Sequence, residues 1–293
     1  FGSGLSQRGI ARSLSISCST VCEMVYRARA AGLDLERLAT LNDRQLDALI
    51  YPSASGRPQK RSLKFEYIHS ELKRKGWMLS DLTTDVYNLL APLRRFDHAF
   101  VPSHLPSSGI YFFYEKGETI RLGGLAVDRI VRVGINRSNG RFRSRIRGHY
   151  GRVSRLGGNK NGSVFRKHLG GALLRRADPA DPRLTGWLQQ DGPTYAEVER
   201  EVSLVLRHNL TFACVRVEDA DERKNLESAL IALLAQEPLG QPSPAWLGAY
   251  AASEDIRNLG LWNTQHIHSE PLTLEAFGRL SALASDWLRC QGG

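Results

Sequence analysis

The middle of this sequence and one later segment hold side chains that could together hydrolyse a phosphate ester. Tyr111 ends the string GIY, and a tyrosine can orient or deprotonate water. Arg145 and His149 are four residues apart, which on a helix places a guanidinium and an imidazole on one face. Glu227 offers a carboxylate to a hard cation such as Mg²⁺ or Mn²⁺. Water activation, charge neutralisation and a bound cation are the requirements of phosphodiester hydrolysis, so these residue types match that chemistry.

Each of these residues also has a structural interpretation that the sequence leaves open. Tyr111 can be a core tyrosine, Arg145 one of many surface arginines, and Glu227 an exposed helix carboxylate. The presence of all four types in one chain favours the chemical interpretation. Two other histidines, His168 and His208, have no partner at ligand spacing and are predicted to be structural.

Hydrophobic patterning indicates which elements position these side chains. β-Branched and aromatic runs predict strands at 109–114, 128–135 and 210–219, and helices are predicted at 142–150 and 222–236. Tyr111 then lies on the first strand, Arg145 and His149 on the first of these helices, and Glu227 near the start of the second. This order predicts an α+β fold with a small mixed sheet flanked by helices.

The N-terminal segment predicts a separate all-α unit. Residues 6–14 form one amphipathic pattern, a turn follows at 15–17, and a second helix begins near Ser19. Two short helices joined in this way make a helix-turn-helix, whose second helix enters the DNA major groove. The residues predicted to contact DNA there are Ser17, Ser19, Thr20 and Glu23, with Arg27 and Arg29 placed for phosphates.

Positive charge is concentrated in the middle of the chain. Residues 105–176 carry 16 Lys and Arg against 3 Asp and Glu, a net +13, whereas residues 177–293 are net −8. A block of this density predicts a surface that faces phosphates, with a merely solvated basic face as the alternative. The residues predicted to contact DNA there are Arg132, Arg143, Arg166, Lys167, Arg175 and Arg176.

Composition excludes several classes of protein. No apolar run approaches the roughly 20 residues that a membrane-spanning helix needs, so no membrane partner is expected. The 4 cysteines form neither a C-x-x-C pair nor a Cys/His set, so reduced thiols in a cytoplasmic protein are expected. No small-molecule cofactor is expected, and the sequence does not predict the oligomeric state.

Five segments in order, GIYFFYEKGE, RVGIN, FRSRIRGHY, ERKNLESALIALL and GLWNTQH, resemble the GIY-YIG endonucleases over roughly residues 108–268. The resemblance implies that Tyr111 is the general base or positions the water, and that Arg145 stabilises the pentavalent phosphorus. It implies that His149 assists the water or a proton relay. It also implies that Glu227 holds Mg²⁺ or Mn²⁺ and that Asn263 helps to position the phosphate.

The chain departs from the family pattern at two places. Arg132 stands where the family has its second tyrosine, and an arginine cannot act as a base, although it can bind a phosphate oxygen. The site is therefore either rearranged, with Tyr111 as the base, or weakened. A long basic insert, GRVSRLGGNKNGSVFRKHLGGALLRR, is interpreted as extra DNA-contacting surface.

A different resemblance covers roughly residues 4–87. The string GLSQRGIARSLSISCSTVCEMVYRARAAGL and the segments after it are similar to the N-terminal region of a bacterial insertion-sequence transposase family. In that family a helix-turn-helix precedes a DDE integrase core. No such core follows here, so an intact transposase is a poor interpretation.

The expected organisation has four parts: a helix-turn-helix domain at 1–50, a basic linker and helical connector at 51–107, a GIY-YIG nuclease-like domain at 108–270, and a C-terminal helix at 271–293. The function expected is a metal-dependent endonuclease that the helix-turn-helix targets to double-stranded DNA. The alternative is a non-catalytic DNA-binding transposase remnant fused to a decayed nuclease fold.

Overall fold

The structure is a computed structural model that describes residues 79–122, 124–152 and 156–291. The predicted helix-turn-helix at 1–50 lies outside the described residues, as do its candidate DNA contacts Ser17, Ser19, Thr20, Glu23, Arg27 and Arg29. The linker up to residue 78 also lies outside them.

A three-stranded antiparallel sheet in the order β2-β1-β3 forms the centre of the described region. The strands are β1 (Gly109–Leu122), β2 (Leu125–Ile135) and β3 (Leu210–Arg216). Two residues connect β1 to β2, and Gly124 there has φ +86, a conformation that suits a tight hairpin turn. The α+β class with a small sheet is confirmed.

The direction of the strands corrects the expectation of a mixed sheet. The short hairpin connection forces β2 to run against β1, because a parallel pair needs a long crossover. β3 also pairs antiparallel with β1, from Glu115 opposite Leu210 to Gly109 opposite Arg216. Residues 110–114 of β1 are all at most 2% exposed, which shows that both faces of the sheet are covered.

Helices surround this sheet in the described part of the chain. They are α1 (Leu79–Leu90), α2 (Phe142–Tyr150), α3 (Val164–Ala177), α4 (Arg183–Leu188), α5 (Ala196–Asn209), α6 (Ala220–Gln236), α7 (Glu254–Leu259) and α8 (Leu274–Gln291). Short 3₁₀ turns occur at Pro102–His104, Lys160–Gly162 and Leu247–Tyr250. The predicted helices at 142–150 and 222–236 are confirmed as α2 and α6.

One buried asparagine and one buried arginine set the connection from β2 to α2. The Asn136 side chain accepts a hydrogen bond from Gly109 N at 2.9 Å and donates to Ser138 O at 2.8 Å. Arg223 of α6 donates from Nε to Asn136 O at 3.0 Å. Backbone polar groups in this turn therefore have partners without water, and α2 is held in a defined place beside β1.

The outer edge of β2 is covered by the segment 261–263. Trp262 N donates to Val131 O at 2.7 Å, and the Asn263 side chain bonds both backbone groups of Val133. These bonds cover the edge of β2 at Val131 and Val133, next to Gly134. Within the described residues, no helix has both the length and the apolar character needed to cross a membrane.

Candidate active site

Tyr111 and Gly134 face each other across the β1–β2 pair. A Cβ built on Gly134 would lie 2.3 Å from the Tyr111 hydroxyl oxygen, so the tyrosine ring lies directly over the glycine. Any larger residue at position 134 would displace the ring. The glycine of the Val-Gly step is therefore required because the Tyr111 ring occupies the space that a side chain at position 134 would need.

Tyr111, His149 and Ser163 form a hydrogen-bonded chain inside the protein. The Tyr111 hydroxyl lies 2.8 Å from His149 Nε2, and His149 Nδ1 lies 2.8 Å from Ser163 Oγ. All three side chains are buried. Burial holds the pKa of His149 well below its usual value, and the charges of Arg145, Arg132 and Arg166 lower it further. His149 is therefore neutral at neutral pH, with one ring nitrogen that donates and one that accepts.

Residues of the basic insert hold His149 and Ser163 of this hydrogen-bonded chain in place. Ser163 is the N-cap of α3, where its Oγ accepts a hydrogen bond from Arg166 N at 3.3 Å. Arg166 Nη1 donates to the His149 carbonyl at 2.8 Å, and its Nε bonds Glu199 of α5 at 2.8 Å. Arg166 has no exposed surface. The expectation that Arg166 contacts DNA is therefore corrected, because Glu199 and backbone groups already bind the guanidinium inside the fold.

Glu227 of α6 lies in the electrostatic field of the same group of residues. Burial raises the pKa of its carboxyl group, whereas the charges of Arg132, His266, Arg145 and Arg137 lower it. Among the described residues, no side chain forms a hydrogen bond or an ion pair with this carboxylate. The charges of Arg132 and Arg145 also act on His149, which is hydrogen-bonded to Tyr111. That Tyr111, Arg145, His149 and Glu227 converge on one phosphate stays a prediction.

Arg145 is half-buried on α2, and its Nη1 donates to Gly162 O at 3.1 Å. That bond directs the side chain toward the loop before α3 and limits its rotamers. The i, i+4 spacing places Arg145 and His149 on one face of α2, as the sequence indicates. The helix thus presents a guanidinium and a neutral imidazole to the same region.

Arg132 lies inside the site rather than at the surface. It faces Phe113 across the strand pair and is 7% exposed. Its Nη1 donates to the carbonyl of Trp262, and its guanidinium lies 4.9 Å from the centre of the Phe165 ring. An exposed, solvated arginine was one expectation for this position, and the burial corrects it.

Asn263 is hydrogen-bonded to β2. Its Oδ1 accepts from Val133 N at 3.0 Å and its Nδ2 donates to Val133 O at 2.9 Å. These bonds fix the amide next to Gly134 and leave one N–H of Nδ2 without use by Val133, so the expected contact with the phosphate stays a prediction.

The other arginines and lysines predicted to contact DNA are at least partly accessible. Arg143 and Arg176 are exposed, and Arg143 Nη2 donates to Leu105 O at 3.1 Å. Lys167 and Arg175 are half-buried, with Arg175 Nη1 bonded to Ala251 O at 3.0 Å. Arg143, Lys167, Arg175 and Arg176 keep donors for a phosphate, and their role stays a prediction.

Sequence reasoning missed two residues that the structure adds to this region. Ser163 binds His149, and a serine just before an apolar helix is a recognisable N-cap signal. His266 Nδ1 lies 3.2 Å from Ser228 Oγ. The backbone of His266 has φ +66, an uncommon conformation for a residue with a Cβ. Nothing in the local pattern indicates that His266 acts on Glu227, because 39 residues separate the two.

A tyrosine bonded to a histidine, with a free carboxylate and arginines around them, supplies the groups that phosphodiester hydrolysis requires. The fold, a small antiparallel sheet flanked by helices, is consistent with that of a nuclease domain. The family model of the GIY-YIG domain matches residues 69–285. The chain therefore belongs to the GIY-YIG domain family, and the resemblance seen over 108–268 is confirmed.

A second comparison concerns the transposase-like segment. The chain is 34% identical over 77 residues to a proposed transposase for insertion sequence IS408 of Burkholderia multivorans. The match covers 25% of this chain and 15% of the transposase, and it supports the transposase-like character of the N-terminal segment. No solved structure gives a significant match to the chain.

Proposed function

We propose that this protein is a divalent-metal-dependent endonuclease that hydrolyses phosphodiester bonds of double-stranded DNA and is targeted by its N-terminal helix-turn-helix. One observation carries the proposal: Tyr111 and His149 form a hydrogen bond of 2.8 Å, and the charges of Tyr111 and Glu227 both act on Arg132. The GIY-YIG family points to a nuclease, and the transposase-like segment points to DNA.

The tyrosine–histidine pair can activate water. In the tautomer with the proton on Nδ1, His149 donates to Ser163 and accepts the Tyr111 proton at Nε2. As the water oxygen bonds to phosphorus, one water proton moves to the Tyr111 oxygen and the tyrosine proton moves to Nε2. The bond from phosphorus to the leaving sugar oxygen breaks, and that oxygen takes a proton from solvent. His149 later returns its proton to solvent, so the protons balance.

Arg145 stabilises the negative charge that grows on the phosphate oxygens. Its guanidinium is held by Gly162 O, so little reorganisation accompanies the reaction. A preorganised donor of this kind contributes about 100-fold or more to rate in other enzymes.

Glu227 fits a single-carboxylate site for Mg²⁺ or Mn²⁺. Its carboxylate is half-buried and forms no hydrogen bond or ion pair with another described side chain, so its lone pairs are available. Groups of three or more metal-binding side chains are absent from the described residues, so water and the substrate phosphate would supply the other ligands. When bound, the ion would neutralise the phosphate and polarise it for attack.

Exposed arginines around α2 supply the surface that attracts the duplex. Arg141, Arg143 and Arg147 are all exposed, and the segment 105–176 has a net charge of +13. Neutralised phosphates release counterions, so the affinity of this surface should fall steeply with salt.

The decisive experiment replaces Glu227 by glutamine and measures plasmid cleavage in Mg²⁺ or Mn²⁺ together with duplex affinity in chelator. Glu227→Gln keeps the shape but removes the charge that would hold the cation, so cleavage should fall by about 100-fold or more. Duplex affinity should hardly change, because the arginine surface supplies it. Asp221→Asn, an exposed carboxylate on the same helix, is the matched control and should cut normally.

One observation favours the alternative of a DNA-binding protein without catalysis. Tyr111 and His149 are fully buried, and Arg132 stands at the second tyrosine position. Wild-type protein that binds duplex DNA but does not cut it, whichever divalent metal is supplied, would support that alternative. Glu227→Gln that cuts as fast as wild type would show that the metal site lies elsewhere.

A further inference from the structure

The buried arginines of the described region differ in how their charge is compensated. They are Arg129, Arg132, Arg166 and Arg223. Two of them form ion pairs with buried glutamates, and Arg223 donates to several backbone carbonyls and an asparagine. Arg132 has neither arrangement within the described ranges: no carboxylate forms an ion pair with it, Nη1 bonds one carbonyl, and Nε has no partner. The Tyr111 hydroxyl also acts on its guanidinium as a hydrogen-bond partner.

A buried guanidinium without a counter-ion is costly to keep. Burial lowers the pKa of Arg132, as expected for a cation that has lost its water. The Phe165 ring at 4.9 Å compensates only in part, since a π face attracts a cation more weakly than a carboxylate does. Replacing such a charge by an apolar side chain of similar volume would stabilise most folds. The charge is therefore interpreted as part of a binding site for an anion.

The surroundings of Arg132 indicate which anion fits. Arg132 and Tyr111 are on the same face of the sheet, because Arg132 lies opposite Phe113, which is two residues from Tyr111 on β1. The charges of Tyr111, Arg145 and Glu227 all act on Arg132. The charges of Arg132, Arg145 and Arg137 act on the single carboxylate of Glu227, and Glu227 and Arg132 form no direct ion pair. A phosphate bound there would meet Arg132, Arg145 and the cation at Glu227.

We propose that Arg132 binds a non-bridging oxygen of the scissile phosphate and is a catalytic residue at the position of the family's second tyrosine. This inference rests on the nuclease function proposed above. Arginine binds phosphate through two parallel N–H groups. Its positive charge stabilises the pentavalent state most, because negative charge on the phosphate oxygens is greatest there. It takes no proton from water, so the base role stays with Tyr111.

The first test compares Arg132→Met and Arg132→Lys in the full chain. Single-turnover cleavage of plasmid DNA should fall by about 100-fold in Arg132→Met, as for loss of one preorganised donor, and less in Arg132→Lys. Duplex affinity in chelator should stay within about threefold, because the exposed arginines dominate it. Arg132→Met that cleaves at the wild-type rate would overturn the proposal.

The second test measures thermal unfolding and does not depend on cleavage. Arg132→Met should unfold at the same temperature as wild type or higher, whereas Arg129→Met should unfold earlier because it leaves Glu118 unpaired. Inorganic phosphate should raise the unfolding temperature of wild type more than that of Arg132→Met or Arg132→Lys. Equal phosphate effects, or a loss of stability in Arg132→Met as large as in Arg129→Met, would show that Arg132 is structural. Wild-type protein that never cleaves would refute the nuclease function, and the phosphate comparison would still decide the role of Arg132.

Discussion

The ion pair between Arg166 and Glu199 gives the most quantitative prediction for the fold around the site. Glu199 is 4% exposed and accepts hydrogen bonds from Lys160 N at 2.6 Å and from Arg166 Nε at 2.8 Å. Glu199→Gln keeps the size of the side chain but removes its charge and places an amide N–H₂ group among donors. Arg166, with no exposed surface, then remains as an unpaired buried cation.

Breaking a buried pair in this way costs about 3–5 kcal/mol of the free energy of unfolding. For a domain of this size, each kcal/mol lowers the melting temperature by roughly 2–4 °C, so a loss of about 10 °C is expected. Urea unfolding followed by circular dichroism, and thermal unfolding in parallel, would measure both quantities. Cleavage should fall as well, because Arg166 holds the carbonyl of His149.

Two comparisons make this prediction refutable. Glu197→Gln, on the same helix, removes an exposed carboxylate that pairs with Arg183 and should cause no measurable loss. The double replacement of Arg166 and Glu199 by methionine should recover much of the stability, since both buried charges are then absent. A Glu199→Gln protein as stable as Glu197→Gln would show that the buried pair does not stabilise the fold.

Two further predictions concern the site. Gly134→Ala would place a methyl group 2.3 Å from the Tyr111 hydroxyl, so cleavage should be lost and the free energy of unfolding should fall by about 1–3 kcal/mol. The control is Gly148→Ala on α2, whose methyl group meets nothing within 4 Å. It should raise the free energy of unfolding in urea by about 0.4–1 kcal/mol. Equal effects of the two alanines would contradict the packing of Tyr111 on Gly134. Burial, with the charges of Arg132 and Lys167, lowers the pKa of His168 from 6.5 to about 4. His168 therefore contributes stability above pH 6.5, and this stability is lost as the pH falls toward 4. The free energy of unfolding, measured at pH 7, 6 and 5, should show this decline. The decline should be shallower in His168→Gln than in His208→Gln.

The sequence alone determined the main elements and the identity of the chemical groups. The run GIYFFY predicts a strand because its residues are apolar and β-branched or aromatic, and the structure has β1 there. The i, i+4 spacing of Arg145 and His149 predicts one helix face, and α2 provides it. These features depend on contacts between residues close in sequence, and local periodicity reports such contacts directly.

Only the tertiary structure decided which charged and polar residues are free to act. Arg166 and Arg176 both belong to one basic insert, yet Arg166 is buried because it meets Glu199, which lies 33 residues away on another helix. Asn263 is hydrogen-bonded to Val133, 130 residues earlier, and Arg132 is enclosed without an ion pair, with its Nε unpartnered. A sequence pattern shows that an arginine is present but not which distant carboxylate it meets. The partner depends on how helices pack across the sheet, and that packing is a property of the whole fold.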